Sequence, residues 1–476
     1  MKKLFRTFSL IFFLSFAFSV IAQESDSVEL HRPAKEPYFV IHTISVSGNY
    51  RTKKRIILRE LTFQAGDTVL ASMLDTRLLR AKYNIQNTLL FNFVRIDTIP
   101  YFKNQIDILI DLKERWYLFP IPTLDNAERN FNTWLENPNL ARESYGFYFV
   151  DNNFKGLKSN LSFKFRFGYS EQFQVTYSIP YIDKKQASGL GFGFSYNRNH
   201  EIIYSTVDDY VQYYKNPESY VRDEWVGRIN YSHRWGLYNY QLAELRFVKS
   251  SVSDSVVSLN KDYFENGSTI FQLFVASYGF RRDFRDSKIY PLKGYFVGID
   301  FVKQGLGILK NESADLVYIS ASARKYWQLF DRTYFDAMLK GKLSTNDQPP
   351  YYVQRALGYG DYVRGYEYYV IDGQSFALLK TNIHYQLVRP NVHKFNGLGN
   401  EKFNTLPYAF YLSLFADAAY VSDKFYYQLN PLTNSWLIGG GVGLDFVTYY
   451  DIVLRFEYSV NRMGETGFYV HLSAPF

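Results

Sequence analysis

From Trp116 onward, apolar and polar residues alternate in short segments, and this period of two constrains the fold more than any other feature. The clearest segment is 161–168, where Leu and Phe alternate with Ser, Lys, Arg and Gly, and 452–460 repeats the pattern. Soluble sandwiches and transmembrane barrels both alternate in this way. Here one side is nearly all Phe, Tyr, Leu, Val and Ile, while the other carries Lys, Arg, Asp, His and Gln. This asymmetry predicts a mainly β protein, a barrel with lipid outside and a polar lumen inside.

The composition supports a membrane barrel and argues against several other classes of protein. Tyr and Phe, with 43 and 42 copies, bring the aromatic share to 19%, although the mean hydropathy is only −0.25. Aromatic girdles at the two membrane interfaces of a barrel account for such an excess. After the first 22 residues, no uncharged apolar run reaches the roughly 18 residues of a spanning helix. Cysteine is absent and the net charge of +8 is scattered, so we predict no disulfide, no thiol chemistry and no nucleic-acid partner.

The N-terminus predicts export followed by a small domain. Residues 1–22 have the basic start and apolar run of a signal peptide, and the polar stretch 23–37 predicts a flexible lead-in. Residues 38–115 then predict a β-α-α-β-β unit, a three-stranded sheet with two helices on one face. Thr52 is expected to cap the first of these helices, which ends near Leu61.

The remaining residues, 116–476, contain about sixteen alternating segments, an even number as single-chain bacterial barrels require. Short connections such as 153–156 are predicted to face the periplasm. The long polar connections, which are predicted to lie outside, fall near 125–142, 199–220, 251–267 and 345–373. One long connection, 390–406, falls on the predicted periplasmic side.

The final segment has the form expected of the recognition end of an outer-membrane barrel. One face of this strand carries Phe468, Val470, Leu472 and the terminal Phe476. We therefore predict that these residues form a C-terminal barrel signal.

The sequence offers no pattern typical of an enzyme. Its seven histidines are dispersed without metal-ligand spacing, and no G-x-S-x-G motif is present. The Gly439-Gly440-Gly441 run is not followed by the Lys-Ser/Thr of a phosphate-binding loop, so it predicts close backbone packing. Arg455 and Glu457 are expected to form an ion pair in the lumen. We predict no enzymatic activity, cofactor or metal.

In their order along the chain, these features resemble the BamA/TamA-type outer-membrane assembly and translocation superfamily, also described as the bacterial surface antigen family. The motifs that carry the resemblance are Gly48-Asn49, Arg59-Glu60-Leu61, Gly66-Asp67, Asn153-Phe154-x-Gly156, Pro180-Tyr181, Arg282-Asp283, Tyr290-Pro291-Leu292-x-Gly294 and Val363-Arg364-Gly365-Tyr366. The resemblance implies one periplasmic POTRA-type domain before a sixteen-stranded barrel in the outer membrane of a Gram-negative type of cell.

The resemblance also implies a loop latch inside the barrel. In the family, the sixth outer loop folds into the lumen and its arginine meets an aspartate of a Phe-x-Asp-x-Gly motif. The corresponding loop residues here are Val363, Arg364, Gly365 and Tyr366, and the corresponding wall residues are Phe415 and Asp417, with Ala419 in place of the glycine. Alternation along 410–417 independently predicts that Phe415 and Asp417 point inward. The alternative is that Asp417 faces lumen water and Arg364 faces bulk solvent.

Two functions remain open from the sequence. The first is insertion, assembly or translocation of other polypeptides, using the POTRA-type domain for docking and the seam between the first and last strands as a template. The second is a related channel or accessory barrel without insertase activity. The expected partners are the outer-membrane bilayer, unfolded client polypeptides and accessory periplasmic or lipoprotein subunits.

Overall fold

The structure is a computed structural model that describes residues 36–126, 142–310, 312–345, 348–395, 404–448 and 452–473. The predicted signal peptide, most of the predicted lead-in and Phe476 lie outside these residues. Within the described ranges, no helix is both long enough and apolar enough to cross a bilayer.

The N-terminal domain is a mixed sheet covered by two helices. In chain order its elements are β1 (Tyr38–Ser47), α1 (Lys54–Leu58), β2 (Thr68–Leu70), α2 (Ala71–Gln86), β3 (Phe91–Pro100) and β4 (Gln105–Glu114). The strand order is β2-β1-β4-β3, with β1 parallel to β4 and the other neighbours antiparallel. Its core combines aliphatic residues, among them the fully buried Ile41, Ile85 and Ile110, with aromatic residues such as Phe91.

Two details of the predicted domain are wrong. The sheet has four strands, because the short β2 between the helices pairs with the start of β1 and extends the sheet. Thr52 does not cap α1, whose N-cap is Lys53 without a side-chain bond. The Thr52 hydroxyl instead lies 3.1 Å from the Tyr117 hydroxyl and 2.9 Å from Asn153 Nδ2, because the residue is buried where the domain meets the barrel.

The second part of the chain is a sixteen-stranded antiparallel sheet, as the alternation predicted. After β4 the strands are β5 (Leu118–Asn126), β6 (Glu143–Phe154), β7 (Ser159–Gly168), β8 (Ser170–Ile179), β9 (Ser188–Asn199), β10 (Glu201–Val207), β11 (Tyr210–Lys215), β12 (Arg222–Trp235), β13 (Asn239–Val252), β14 (Ile270–Asp283), β15 (Gly294–Gln304), β16 (Leu316–Phe330), β17 (Thr333–Ser344), β18 (Ser375–Lys394), β19 (Thr405–Ser422), β20 (Trp436–Val447), β21 (Val453–Asn461) and β22 (Thr466–Ser473). All except β10 and β11 belong to the large sheet, which runs in chain order from β5 to β22.

Burial alternates along these strands as a barrel requires. On β19, Leu412 and Leu414 are exposed on the outer face, while Ser413, Phe415 and Asp417 are buried on the inner face. An exposed apolar outer face and a buried polar inner face are what a lipid-embedded barrel needs.

The long connections contain more structure than the sequence indicated. The interval 199–220 forms the β10–β11 hairpin, and 251–267 contains the helix α3 (Asp254–Leu259). The two ends of the interval 390–406 are strand, because β18 continues to Lys394 and β19 begins at Thr405. The predicted periplasmic connection is therefore shorter than the interval 390–406, and its residues 396–403 lie outside the described ranges.

The N-terminal domain packs against the short turns of the barrel. Arg234, at the end of β12, donates to both carboxylate oxygens of Glu60 at 2.7 Å. Gly156, in the β6–β7 turn, has φ +71°, and a side chain there would lie 2.0 Å from the Arg51 carbonyl oxygen. These contacts place the domain at the end of the barrel opposite the long loops.

Candidate functional site

The sixth outer loop, between β17 and β18, folds into the lumen. Val363 and Tyr366 are each only 1% exposed, and they belong to an apolar cluster that also contains wall residues of β18, β19 and β20. The Tyr366 hydroxyl lies 3.4 Å from the carbonyl oxygen of Ile438 on β20. The loop is therefore part of the interior of the barrel.

Arg364 and Asp417 form the central contact of the loop with the wall. Arg364 Nη2 donates to Asp417 Oδ1 at 2.6 Å, and Arg364 Nε donates to Oδ2 at 2.9 Å. The backbone N–H of Arg364 adds a third bond to Oδ2 at 3.1 Å. The Asp417 side chain is 0% exposed and that of Arg364 4%. This is a two-pronged charge pair shielded from bulk water, the geometry in which such pairs hold their partners in one orientation.

The remaining faces of the guanidinium are also occupied. Its central carbon lies 3.8 Å from the ring centre of Phe415, a distance typical of a cation–π contact. Arg364 Nη1 donates to Asn382 Oδ1 at 2.6 Å and lies 3.3 Å from Glu457 Oε1. Lys380 Nζ approaches Asp417 at 3.7 Å. Both predicted wall residues thus contact Arg364, together with Asn382 and Glu457, whose contacts with the loop the sequence did not indicate.

Glycines allow the loop backbone to approach the wall. Gly365 has φ +93°, and its carbonyl accepts a hydrogen bond from Asn461 Nδ2 at 3.0 Å. A Cβ on Gly439 would lie 1.9 Å from the Arg364 carbonyl oxygen. The triple-glycine segment therefore serves close backbone packing against the loop, as its sequence indicated.

A second cluster connects the loop to the last strand. His471 Nε2, on β22, lies 3.2 Å from Glu457 Oε2 and 3.7 Å from Glu367 Oε1 of the loop. The Tyr362 hydroxyl of the loop lies 3.3 Å from His471 Nδ1. The donor atoms of Glu367, Glu457 and His471 all lie within 4.8 Å of one another, so this set resembles a metal site. Arg364 already provides a cation beside Glu457, so we interpret the cluster as a charge network that links the loop to β21 and β22.

The matches to known proteins identify the family. Residues 153–473 match the family described as "Omp85 superfamily domain", and residues 39–115 match the one described as "Surface antigen variable number repeat", the POTRA family. The chain belongs to the Omp85 superfamily. Barrels of this superfamily that carry POTRA domains are outer-membrane proteins, and their POTRA domain lies in the periplasm. Membership of the superfamily supports a general role in insertion or translocation of polypeptides at the outer membrane.

Solved structures share the Omp85 fold with this chain at low sequence identity. BamA from Haemophilus ducreyi lacking POTRA domains 1–3 aligns with a TM-score of 0.51 and 15% identity, covering 91% of this chain and 84% of that one. CdiB from Escherichia coli aligns with a TM-score of 0.55 and 13% identity, covering 91% and 75%. No curated protein matches the chain in sequence. At these identities the likeness concerns the fold alone.

The expected pair of Arg455 with Glu457 is not the main contact of this Omp85 chain at that place. Arg455 Nε donates to Asp445 Oδ1 at 2.7 Å, whereas its distance to Glu457 Oε1 is 3.9 Å. Asp445 lies directly opposite Arg455 in the β20–β21 register, which explains the preference. Glu457 is left to face Arg364 and His471. The alternation of polar and apolar residues places Glu457 and His471 on the inner face of the barrel. It does not predict that residues of the sixth outer loop contact them.

The predicted C-terminal signal lies on the outer face of the Omp85 barrel. Phe468 and Leu472 are 61% and 69% exposed, and Val470 is half-buried between them. Their partners on β21 are Tyr458, Phe456 and Leu454. The three residues thus form an apolar outer strip on β22, and their recognition by an assembly machinery stays a prediction.

Proposed function

We propose that this Omp85 protein inserts or translocates other polypeptides at the outer membrane. The observation that carries the proposal is the attachment of the sixth loop to the inner wall and, through Glu457 and His471, to the last two strands. A loop held in this way braces the wall beside the seam between β5 and β22, the end strands of the sheet. Such a seam is a place where the edge of another chain can add by backbone pairing. The proposal assigns no catalytic step to the chain.

The register of β5 supports a seam that resists permanent closure. The Tyr117 carbonyl accepts a hydrogen bond from the Asn152 N–H at 3.0 Å, so the backbone groups of residue 117 face β6. The next residue, Leu118, is paired with Asp151 in the register. Since backbone groups alternate sides along a strand, those of residues 118, 120 and 122 face the seam. Two of these positions are Pro120 and Pro122, which have no N–H. Between residues 118 and 122, the seam edge of β5 therefore presents three carbonyl acceptors and one N–H donor.

Replacing both Pro120 and Pro122 with valine should strengthen the seam and reduce activity. Each substitution restores one donor, and each added hydrogen bond is worth about 1 kcal/mol. We expect a higher temperature for the heat-dependent shift in gel mobility and less client protein in the outer membrane. Ile121→Val is the matched control, because its backbone groups face β6. Unchanged thermal stability in the double variant would show that these positions do not limit closure.

The POTRA domain offers a second edge for clients. β3 is an end strand of its sheet, and its last residues, including Ile99, are exposed. Strand addition to this edge would bring an unfolded segment close to the periplasmic end of the barrel. We propose that accessory subunits, where they occur, dock on this same domain.

The alternative is a channel or accessory barrel, and the firm docking of the single POTRA domain against the barrel favours it. Depletion of the protein separates the two functions. Under the insertion proposal, other barrel proteins should disappear from the outer membrane, as quantified by mass spectrometry of membrane fractions. If their levels are unchanged while small-solute permeability falls, the channel function is correct.

A further inference from the structure

A cavity of about 460 Å³ lies between the POTRA domain and the periplasmic end of the barrel. The POTRA domain contributes Glu60, Arg80 and Asn84 to its lining. The barrel turns and strand ends contribute Lys158, Arg234 and Lys288, among others. The cavity is distinct from the loop site, and its lining is strongly basic.

Three of the cations at this cavity have carboxylate partners. The pairs are Arg234 with Glu60 (2.7 Å), Arg285 with Asp283 (2.8 Å) and Arg281 with Asp300 (2.7 Å). These pairs cancel their own charge. When these three pairs are counted as neutral, the positive charges of Arg80, Lys158 and Lys288 remain on the lining.

Arg80 is positioned by neutral groups. Its guanidinium carbon lies 3.5 Å from the ring centre of Phe284, and Nε donates to the Tyr238 hydroxyl at 3.1 Å. These contacts orient the side chain without compensating its charge.

Lys158 and Lys288 form no close ion pair with any carboxylate among the residues that the structure describes. Across the described ranges, neither ammonium has a carboxylate oxygen within 4.0 Å. Burial and the nearby cations Arg234 and Arg59 outweigh the attraction of Glu60 and lower the pKa of Lys158 to about 8. The enclosing protein atoms and the nearby Lys158 outweigh the attraction of Asp283 and lower the pKa of Lys288 to about 8, although one side of this residue stays exposed to solvent. Two cations that disfavour each other's charge are held at one cavity, an arrangement that an anion would stabilise.

We propose that this cavity binds a small dianion of the phosphate or phosphomonoester class, held by Lys158, Lys288 and Arg80. A dianion matches the charge excess better than a single carboxylate does, and ammonium and guanidinium groups are the usual phosphate donors. The side-chain amides of Asn84 and Asn87 on the same lining already donate to the backbone carbonyls of Glu60, Arg285 and Asp286, so they fix the wall beside the three cations. Free phosphate and the glycerol phosphate of a lipid headgroup share this chemistry.

Equilibrium dialysis of the full chain in detergent, with radiolabelled phosphate and separately with glycerol phosphate, tests the proposal. We expect one ligand per chain and about tenfold weaker binding in the Lys158→Gln/Lys288→Gln double variant. The matched control, Lys53→Gln/Lys184→Gln, removes two exposed lysines outside the cavity and should bind as the native chain does. If both compounds bind, the phosphate group alone is sufficient for binding. If only glycerol phosphate binds, the ligand is the glycerol phosphate of a lipid headgroup. Binding of neither, or equal binding by the cavity variant, overturns the proposal.

Trace acetylation at pH 8 gives a second measurement that does not depend on substitutions. Lys158 and Lys288 should react faster than Lys53 and Lys184, because a larger fraction of each is neutral at that pH. Phosphate should slow their reaction selectively. Equal slowing by chloride at the same ionic strength would show screening and would contradict a specific site.

Discussion

Replacing Arg364 with alanine is expected to release the sixth loop from the wall and to remove most of the activity. The substitution leaves the fully buried Asp417 carboxylate with Lys380 at 3.7 Å as its nearest remaining cation. Breaking one partner of a buried pair costs about 3–5 kcal/mol, because an uncompensated charge stays in the interior. The apolar contacts of Val363 and Tyr366 keep the loop inside the lumen, but they are not directional and do not set its orientation. Recovery of client barrels after depletion of the native protein measures the effect.

The Asp417→Ala variant should be impaired to a similar degree, and the double variant should be no worse than either single one. This non-additivity is expected because the two groups act as one unit. Arg364→Lys should recover little, since an ammonium cannot make the two-pronged contact. Additive losses, or a fully active Arg364→Ala variant, would contradict the latch.

A matched control for the latch is available on the same loop. Asp361 pairs with Lys340 of β17 at 2.5 Å, but both side chains are about a quarter exposed, at 27% and 26%. Ion pairs that water can reach contribute less to stability than fully buried ones. Asp361→Ala should therefore retain nearly native activity.

The second large effect is expected at the contact between the POTRA domain and the barrel. Glu60→Ala leaves Arg234, whose side chain is 17% exposed, without its carboxylate partner. We expect docking of the domain to weaken by about 3–5 kcal/mol. Faster limited proteolysis of the POTRA domain and faster hydrogen exchange in α1 would report this loss. The charge-swapped variant Glu60→Arg/Arg234→Glu should recover part of the lost docking free energy.

The free energy of docking through the Glu60–Arg234 pair should depend on pH in the acid range. Burial acts to raise the pKa of Glu60, but the hydrogen bonds and charge of Arg234 outweigh burial and lower it to about 2. Because this pKa is depressed, the contribution is fully present above the ordinary value of 4.5 and is lost as pH falls towards 2. Arg389→Ala removes an exposed pair with Asp331 at the same end of the barrel and should leave docking unchanged. Docking that is insensitive to Glu60→Ala and to acid would show that the apolar contacts suffice.

Short-range patterns predicted most of the architecture. Alternation identified all sixteen barrel strands, because lipid on one side and the lumen on the other impose a period of two on every one of them. The short β2 was missed, since three residues are too few to show a period and their pairing with β1 depends on a distant partner. Arg364 and Asp417 were linked only through family resemblance, because 53 residues separate them.

The sequence by itself determined which residues face lipid and which face the interior, since that choice follows from strand periodicity and burial of apolar surface. Only the tertiary structure decided which interior charges meet. Arg455 makes its shorter contact with Asp445 at 2.7 Å and lies 3.9 Å from Glu457, which also faces Arg364 and His471. The tertiary structure likewise decided that Lys158 and Lys288 line one cavity without a close carboxylate among the described residues. The physical reason is that ion pairing depends on distances of a few ångströms between segments remote in sequence, which no local pattern encodes.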